Sequence, residues 1–321
     1  MRKLPRWLAG LALCALLTAG LGSGGQAMAA DDTKEKESAA LTGDARCTKC
    51  HDESEEYPVL SIARTKHGVK ADKRMPTCAA CHGESPTHVS KPEGVKIRPS
   101  SDIGYGPKTK TPIEVQNKTC ISCHQGRKMI HWQGSMHDVK EVACTGCHNM
   151  HTSHDKVMEK VEQAQVCYTC HKEQRALFNK PSRHPVKEAK VICSDCHGSH
   201  GTTGPKLMVR DSIAETCFMC HMEKRGPFVR THQPAEDCSI CHNPHGTAAD
   251  NLLKTRMPFL CQQCHEPNSH KSGIPSMPRT TPGDPNSVYN ITQARSCLNC
   301  HTNIHGTNNP RDITGERTFR H

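Results

Sequence analysis

The sequence has few of the side chains that build an ordinary hydrophobic core. Aromatic residues make up 3% of the 321 residues, and all apolar residues together, cysteine included, make up 34%. Glycine and proline are plentiful, with 23 and 21 residues. A chain so poor in large apolar side chains cannot readily offset the entropy that it loses on ordering. The composition therefore excludes a large core made of protein alone.

Long apolar runs are also scarce. Residues 7–21 form one, after a basic start and before the small residues Ala27-Met28-Ala29. This order is typical of a secretory signal peptide, so we expect residues 1–29 to be removed together with Cys14. An uncleaved anchor is the alternative, but the run is shorter than the roughly 20 residues that a spanning helix needs. We expect an exported, soluble chain in a bacterial periplasm.

Cysteine, in contrast, is abundant and regularly placed. Of 21 cysteines, 20 lie in ten C-x-x-C-H motifs, which we number 1 to 10 in chain order. The cysteines of these motifs are Cys47, Cys50, Cys78, Cys81, Cys120, Cys123, Cys144, Cys147, Cys167, Cys170, Cys193, Cys196, Cys217, Cys220, Cys238, Cys241, Cys261, Cys264, Cys297 and Cys300. Their histidines are His51, His82, His124, His148, His171, His197, His221, His242, His265 and His301.

The motif is the attachment signature of c-type haem, in which two thiols bond to the porphyrin and the histidine becomes the proximal iron ligand. Zinc sites also use paired cysteines, but they do not require a histidine directly after the second cysteine. Thiol oxidoreductase chemistry needs no tenfold repetition. We therefore predict ten covalently bound haem c groups, which form the core while the protein wraps around them. The mature chain should then have neither a free thiol nor a disulfide.

The net charge points away from nucleic acid. The chain carries a formal charge of +10, or +7 without the three basic residues of the signal peptide. Ten haems would add about 20 propionate charges, so the loaded protein should be acidic, near −13 on this count. Lysine and arginine then serve as propionate partners and as ordinary solvated surface.

Thirteen further histidines can supply the sixth iron ligands, and ten of them follow an alternating pattern. One lies at some distance after each odd-numbered motif: His67, His137, His184, His232 and His270. One lies close after each even-numbered motif: His88, His151, His200, His245 and His305. A unit of two motifs and two distal histidines thus repeats five times. We predict that all ten are axial ligands.

Some alternatives remain for individual ligands. His151 and His154 compete for one role, and spacing favours His151, while His131 and His321 are expected on the surface. Methionine raises haem potential, and no methionine recurs at a fixed place, so bis-histidine ligation is favoured over Met75, Met136, Met219 and Met257. His245 should bind a neighbouring haem, because its tether to His242 is too short to wrap around a porphyrin.

These counts predict electron transfer rather than catalysis, since no iron is left open and there is no C-x-x-C-K motif. The expected fold is a multihaem cytochrome: mostly coil with short α-helices, elongated, haem-cored, with little or no β-structure. Residues 30–321 should form one domain of five two-haem units. Helices are expected around Gln174–Phe178 and Ile213–Cys217, and the proline-rich, haem-free segments 83–119 and 266–296 should be extended loops.

The chain resembles the MtrA-type decahaem cytochromes, a group that includes the MtoA and DmsE proteins. The resemblance covers about residues 43–306. It is carried by ten motifs in the same order and by "CHMEKRGP" from Cys220, "CHNPHGT" from Cys241, "LLKTRMPFLCQQCH" from Leu252 and "RSCLNCHTNIHG" from Arg295.

The resemblance implies a periplasmic electron conduit that inserts into an outer-membrane β-barrel porin. Members of the group work outward, to metal oxides or dimethyl sulfoxide reductases, or inward, from ferrous iron. Expected partners are periplasmic or inner-membrane cytochromes, and an extracellular multihaem cytochrome or iron minerals. Two other classes of function stay open: an oxidoreductase acting directly on iron or another soluble donor or acceptor, and a periplasmic haem reservoir.

Overall fold

The computed structural model describes residues 44–56, 58–69, 74–265, 297–299 and 301–309. The expected signal peptide, the segment 266–296 with His270, and Cys300 and His321 lie outside the described residues.

The described chain consists of short helices joined by coil and turns. The α-helices are α1 Ala45–Thr48, α2 Cys78–His82, α3 Pro86–Val89, α4 Ile113–Ile121, α5 Met136–Val139, α6 Gln163–Cys167, α7 Lys172–Leu177, α8 Cys193–Cys196, α9 Ile213–Phe218 and α10 Phe259–Gln262. The 3₁₀ helices are Val59–Arg64, Lys66–Gly68, Arg127–Met129, Cys144–Gly146, Lys156–Met158, Pro205–Leu207, Met222–Lys224, Gln233–Glu236, Cys238–Ile240, Asp250–Leu252 and Cys297–Asn299. Helices α7 and α9 confirm the two helices expected from the sequence.

Extended pairing is confined to isolated bridges. In the part of the chain that the structure describes, no strand forms, and the bridges join Ser182 to Thr247, His197 to Met208, Arg230 to Thr307 and His242 to Leu253. The predicted fold class of short helices and coil is thereby confirmed. Among these residues, no helix is both long and apolar enough to span a membrane.

Each described C-x-x-C-H motif folds as a single helical turn. The amide of the motif histidine donates to the carbonyl of the first cysteine at 2.9–3.1 Å, as in His51 to Cys47 and His242 to Cys238. This bond joins residues four apart, the spacing of one α-helical turn. The turn therefore presents both sulfurs and the imidazole within one short segment.

The prediction of an extended loop for residues 83–119 is wrong at both ends. Helix α3 begins with Pro86, and α4 follows Pro112, which lies at its N-cap. Proline is tolerated at these positions because the first amides of a helix have no intrahelical partner. Between residues 90 and 112 the chain forms neither helix nor strand, as the proline content indicates.

The chain divides into two compact units. The first comprises residues 1–111 and 149–155, and the second comprises residues 112–148 and 156–321. In the second unit a small apolar cluster forms from Ala164, Tyr168, Phe178 and Val186. Because this cluster is so small, the described protein groups alone provide little core, as the composition predicts.

Candidate haem sites

Histidine rings from distant parts of the chain face each other in pairs. Each pair in the described residues joins one motif histidine to one distal histidine, with ring centres 5.9–6.2 Å apart. The pairs are His51–His88, His82–His151, His137–His171, His148–His200, His184–His221, His197–His245, His232–His265 and His242–His305.

The spacing within each pair fits two imidazoles on opposite sides of one metal. An imidazole nitrogen binds a metal at about 2.0–2.1 Å, and about 1.1 Å more separates that nitrogen from its ring centre, so two ligands in line have centres about 6.3 Å apart. The observed 5.9–6.2 Å lies close to this value. The residues present therefore fit bis-histidine ligation of haem iron, with both thiols available for the porphyrin in motifs 1 to 9.

The pairing follows a crossed order along the chain. The distal histidines after motifs 3, 5 and 7 face the motif histidine two motifs further on, as His184 faces His221. Those after motifs 4, 6, 8 and 10 face the motif histidine two motifs back, as His245 faces His197. At the start of the chain, His88 of motif 2 faces His51 of motif 1.

Backbone carbonyls orient many of these imidazoles. A carbonyl can only accept, so each contacting Nδ1 carries the proton and leaves Nε2 with its lone pair free for a metal. The Nδ1–H donors and their acceptors are His82 to Ile103 (3.0 Å), His88 to Pro99 (2.7 Å), His137 to Ser199 (2.7 Å), His184 to Pro244 (2.8 Å), His197 to Lys206 (3.1 Å) and His242 to Asn251 (2.8 Å).

Burial also favours the neutral form of several paired imidazoles. Loss of solvent lowers the pKa of His82, His151, His197, His200 and His245 below the usual value for histidine. A lowered pKa favours the uncharged ring at pH 7, and only this form can bind a metal through nitrogen.

The crossed pairs interlock successive repeats. His184, which follows motif 5, donates to the carbonyl of Pro244, the residue directly before His245 of motif 8. His137, which follows motif 3, makes the same bond to Ser199, directly before the distal histidine of motif 6. In both cases, a distal histidine that faces a later motif donates to the residue directly before a distal histidine of the next repeat, which faces an earlier motif.

A glycine after the distal histidine permits this close approach. Gly201, Gly246 and Gly306 have φ of +102°, +142° and +147°, which strongly favour glycine. A Cβ on Gly246 would overlap the carbonyl oxygen of Leu177 on α7. The next residue, Thr247, then exchanges two backbone bonds with Ser182 at 2.8 and 3.2 Å. The "HG" that recurs at His200, His245 and His305 therefore reports a packing requirement beside these three histidines.

The first cysteines of the two motifs in each repeat lie near each other. Their side chains interact in the pairs Cys47–Cys78, Cys120–Cys144, Cys167–Cys193, Cys217–Cys238 and Cys261–Cys297. The Cys193 thiol raises the pKa of Cys167, and the Cys167 thiol lowers the pKa of Cys193 to about 7. These thiols would attach the haems of two neighbouring motifs.

Buried donors without a protein partner complete the fit. In the described chain these include Trp132 Nε1, Tyr168 Oη, Arg183 Nε, Thr145 Oγ1 and Thr302 Oγ1. A buried donor ordinarily has an acceptor. The carboxylate groups of haem propionates would supply such acceptors. Sequence patterns did not reveal these donors, because they recur at no fixed offset from the motifs.

The remaining predicted ligands are placed as follows. Of the two competitors, His151 faces His82 at 6.0 Å, whereas His154 is exposed. His131 is exposed, in line with its expected surface position. His67 lies in the first unit and His124 in the second, and their role as ligands stays a prediction.

Comparison with known proteins places the chain among multihaem cytochromes. Residues 184–226 and 232–270 match the family of the doubled CXXCH motif, and residues 78–162 match the family described as cytochrome c-type protein NrfB-like. The multiheme cytochrome MtrA of Shewanella baltica (strain OS185) is 37% identical over 271 residues, which cover 82% of this chain and 78% of that protein.

Proposed function

Because the chain belongs to the MtrA family of multihaem cytochromes, we propose that it carries electrons across the outer membrane as the cytochrome of a porin–cytochrome conduit. Covalently bound haem c supplies the one-electron chemistry, and the chain is an electron-transfer protein. The observation that carries the proposal is the series of facing imidazoles, in which seven of the eight pairs join one repeat to the next.

The proposed cofactor count is ten. The attachment cysteines are the twenty of motifs 1–10, and the proximal ligands are the ten motif histidines. The proposed distal ligands are His67, His88, His137, His151, His184, His200, His232, His245, His270 and His305. With ten distal ligands for ten irons, no site is left open for a substrate, which supports electron transfer over direct catalysis.

The order of the motifs supports a linear electron path. Within the first repeat, Cys47 Sγ and Cys78 Sγ lie within 4.8 Å of each other. Between repeats, facing imidazoles link motifs that are two apart, as His184 and His221 do for motifs 5 and 7. A lipid core is about 30 Å thick, and a row of closely spaced haems insulated by a barrel divides that distance into short steps.

The proposed location is the periplasm, with the chain held in a β-barrel porin of the outer membrane. Electrons would be exchanged with periplasmic or inner-membrane cytochromes on one side. On the other side, an extracellular multihaem cytochrome or iron minerals would complete the path, for metal reduction or for oxidation of ferrous iron.

Sealed liposomes test the conduit directly. The protein is co-expressed with a candidate outer-membrane β-barrel, the complex is reconstituted, and reduction of an enclosed redox dye by an external reductant is followed. We expect dye reduction with the complex, and none with the barrel alone or with the cytochrome alone. Transfer by the cytochrome without the barrel, or none by the complex, would contradict the proposal.

A matched variant shows whether the haem row carries the current. C193A/C196A removes the attachment of one haem in the middle of the motif order and leaves both ends intact, so dye reduction should fall severely. Rapid turnover of ferrous or ferric citrate by the free cytochrome, unaffected by this variant, would instead favour the direct oxidoreductase.

A further inference from the structure

Two buried polar side chains occupy the same place in successive repeats. Asp44 lies three residues before motif 1, and its Oδ2 accepts the amide of Cys78 of motif 2 at 2.6 Å. Asn117 lies three residues before motif 3, and its Oδ1 accepts the amide of Cys144 of motif 4 at 2.9 Å. Their exposed fractions are only 3% and 5%. Each side chain therefore ties the first motif of a repeat to the second.

The third repeat contains a variant of the same link. Gln163 lies four residues before motif 5, and its Oε1 accepts the amide of Ser194 in motif 6 at 3.1 Å. The longer side chain starts one residue earlier and reaches one residue further. The acceptor role is thus preserved in three repeats, with an acidic group in the first repeat only.

The charge of Asp44 lies where two haems would meet. One of its carboxylate oxygens lies within 4.8 Å of both Cys47 Sγ and Cys78 Sγ. In the loaded protein both sulfurs are thioethers bonded to porphyrin edges, so they no longer offer thiolate ligands to a metal ion. The equivalent position between motifs 3 and 4 holds the neutral amide of Asn117, which also donates to Val142 O at 3.0 Å.

We propose that Asp44 and Asn117 are positioning residues that set the contact between the paired haems, and that the charge of Asp44 lowers the reduction potential of the first haem pair. A nearby negative charge stabilises the ferric state over the ferrous state. The proposal rests on haem attachment at motifs 1–4. It does not depend on the outer-membrane conduit, so either can fail alone.

Reciprocal substitutions test the charge. D44N keeps an acceptor oxygen and removes the charge, whereas N117D adds a charge at the equivalent place. A unit charge about 12 Å away at an effective dielectric near 20 changes a redox equilibrium about tenfold, which is 59 mV for one electron. Spectroelectrochemical titration of the purified holoproteins should show two of the haems moving upward in D44N and a different two moving downward in N117D.

The matched control is E93Q, which removes a charge from an exposed carboxylate of the first unit. Its titration curve should superimpose on that of the wild type because solvent screens the exposed charge. A D44N curve that superimposes on the wild type, or an N117D curve displaced upward, would overturn the electrostatic role.

Alanine variants test the positioning role separately. D44A and N117A remove the acceptor, so both should lower Tm and alter the magnetic coupling of the paired haems in the EPR spectrum. D44N should retain the Tm and the coupling of the wild type. If D44N shows the same Tm and the same magnetic coupling as D44A, an uncharged acceptor at position 44 does not replace Asp44. That result would refute the positioning role.

Discussion

Replacement of His245 by alanine should open the iron at motif 6, although His245 itself follows motif 8. Its ring lies 6.1 Å from His197 of motif 6, whereas His242 of its own motif faces His305 at 6.2 Å. Loss of the ring removes one axial ligand and leaves both attachment cysteines in place. The affected haem should therefore stay bound and change from low-spin to high-spin.

The size of the effect follows from the number of sites. One of ten motifs loses a ligand, so about one tenth of the low-spin signal should convert, and added imidazole should restore it. Loss of the ring also removes its contact with Phe178, at a centroid distance of 5.4 Å. Because the ring is only half-buried, the free energy of unfolding should fall by only about 1–2 kcal/mol, less than for truncation of a fully buried core side chain.

Spectra of H245A in two motif-deletion backgrounds locate the opened haem. In C238A/C241A, which lacks the haem of motif 8, H245A should still produce a high-spin species. In C193A/C196A, which lacks the haem of motif 6, it should produce none. H131A serves as the matched control because His131 is exposed. The opposite dependence on the two backgrounds would refute the crossed pairing.

Three further predictions follow from the same geometry. H151A should give one high-spin haem by EPR, whereas H154A should leave the spectrum unchanged; high-spin signal in H154A alone would reverse the assignment. In denaturant titration, G246A should lower the free energy of unfolding by about 1–3 kcal/mol because of backbone strain. The control G126A should stay within about 0.5 kcal/mol of the wild type, because its added Cβ would meet nothing within 4 Å. Chain produced without haem attachment should show no cooperative thermal transition, since its core is missing; a sharp transition would contradict a haem-dependent fold.

The coil between residues 90 and 112 and the helices α7 and α9 were predictable from local composition, since proline and short apolar spacing act over a few residues. The same composition predicts a loop at the two ends of this segment, where the structure has α3 and α4. Proline at N1 or the N-cap is compatible with a helix. A count of prolines cannot distinguish these positions.

Sequence alone established ten C-x-x-C-H motifs, ten further histidines in a repeating pattern, and too few apolar side chains for a large core of protein alone. Its spacing also predicted that His245 and His242 do not bind the same iron. Only the tertiary structure decided that His245 faces His197 two motifs back, and that Pro244 orients His184. The physical reason is that the two ligands of one iron must approach from opposite faces. They therefore come from segments far apart in the chain, and local spacing cannot specify which segments meet.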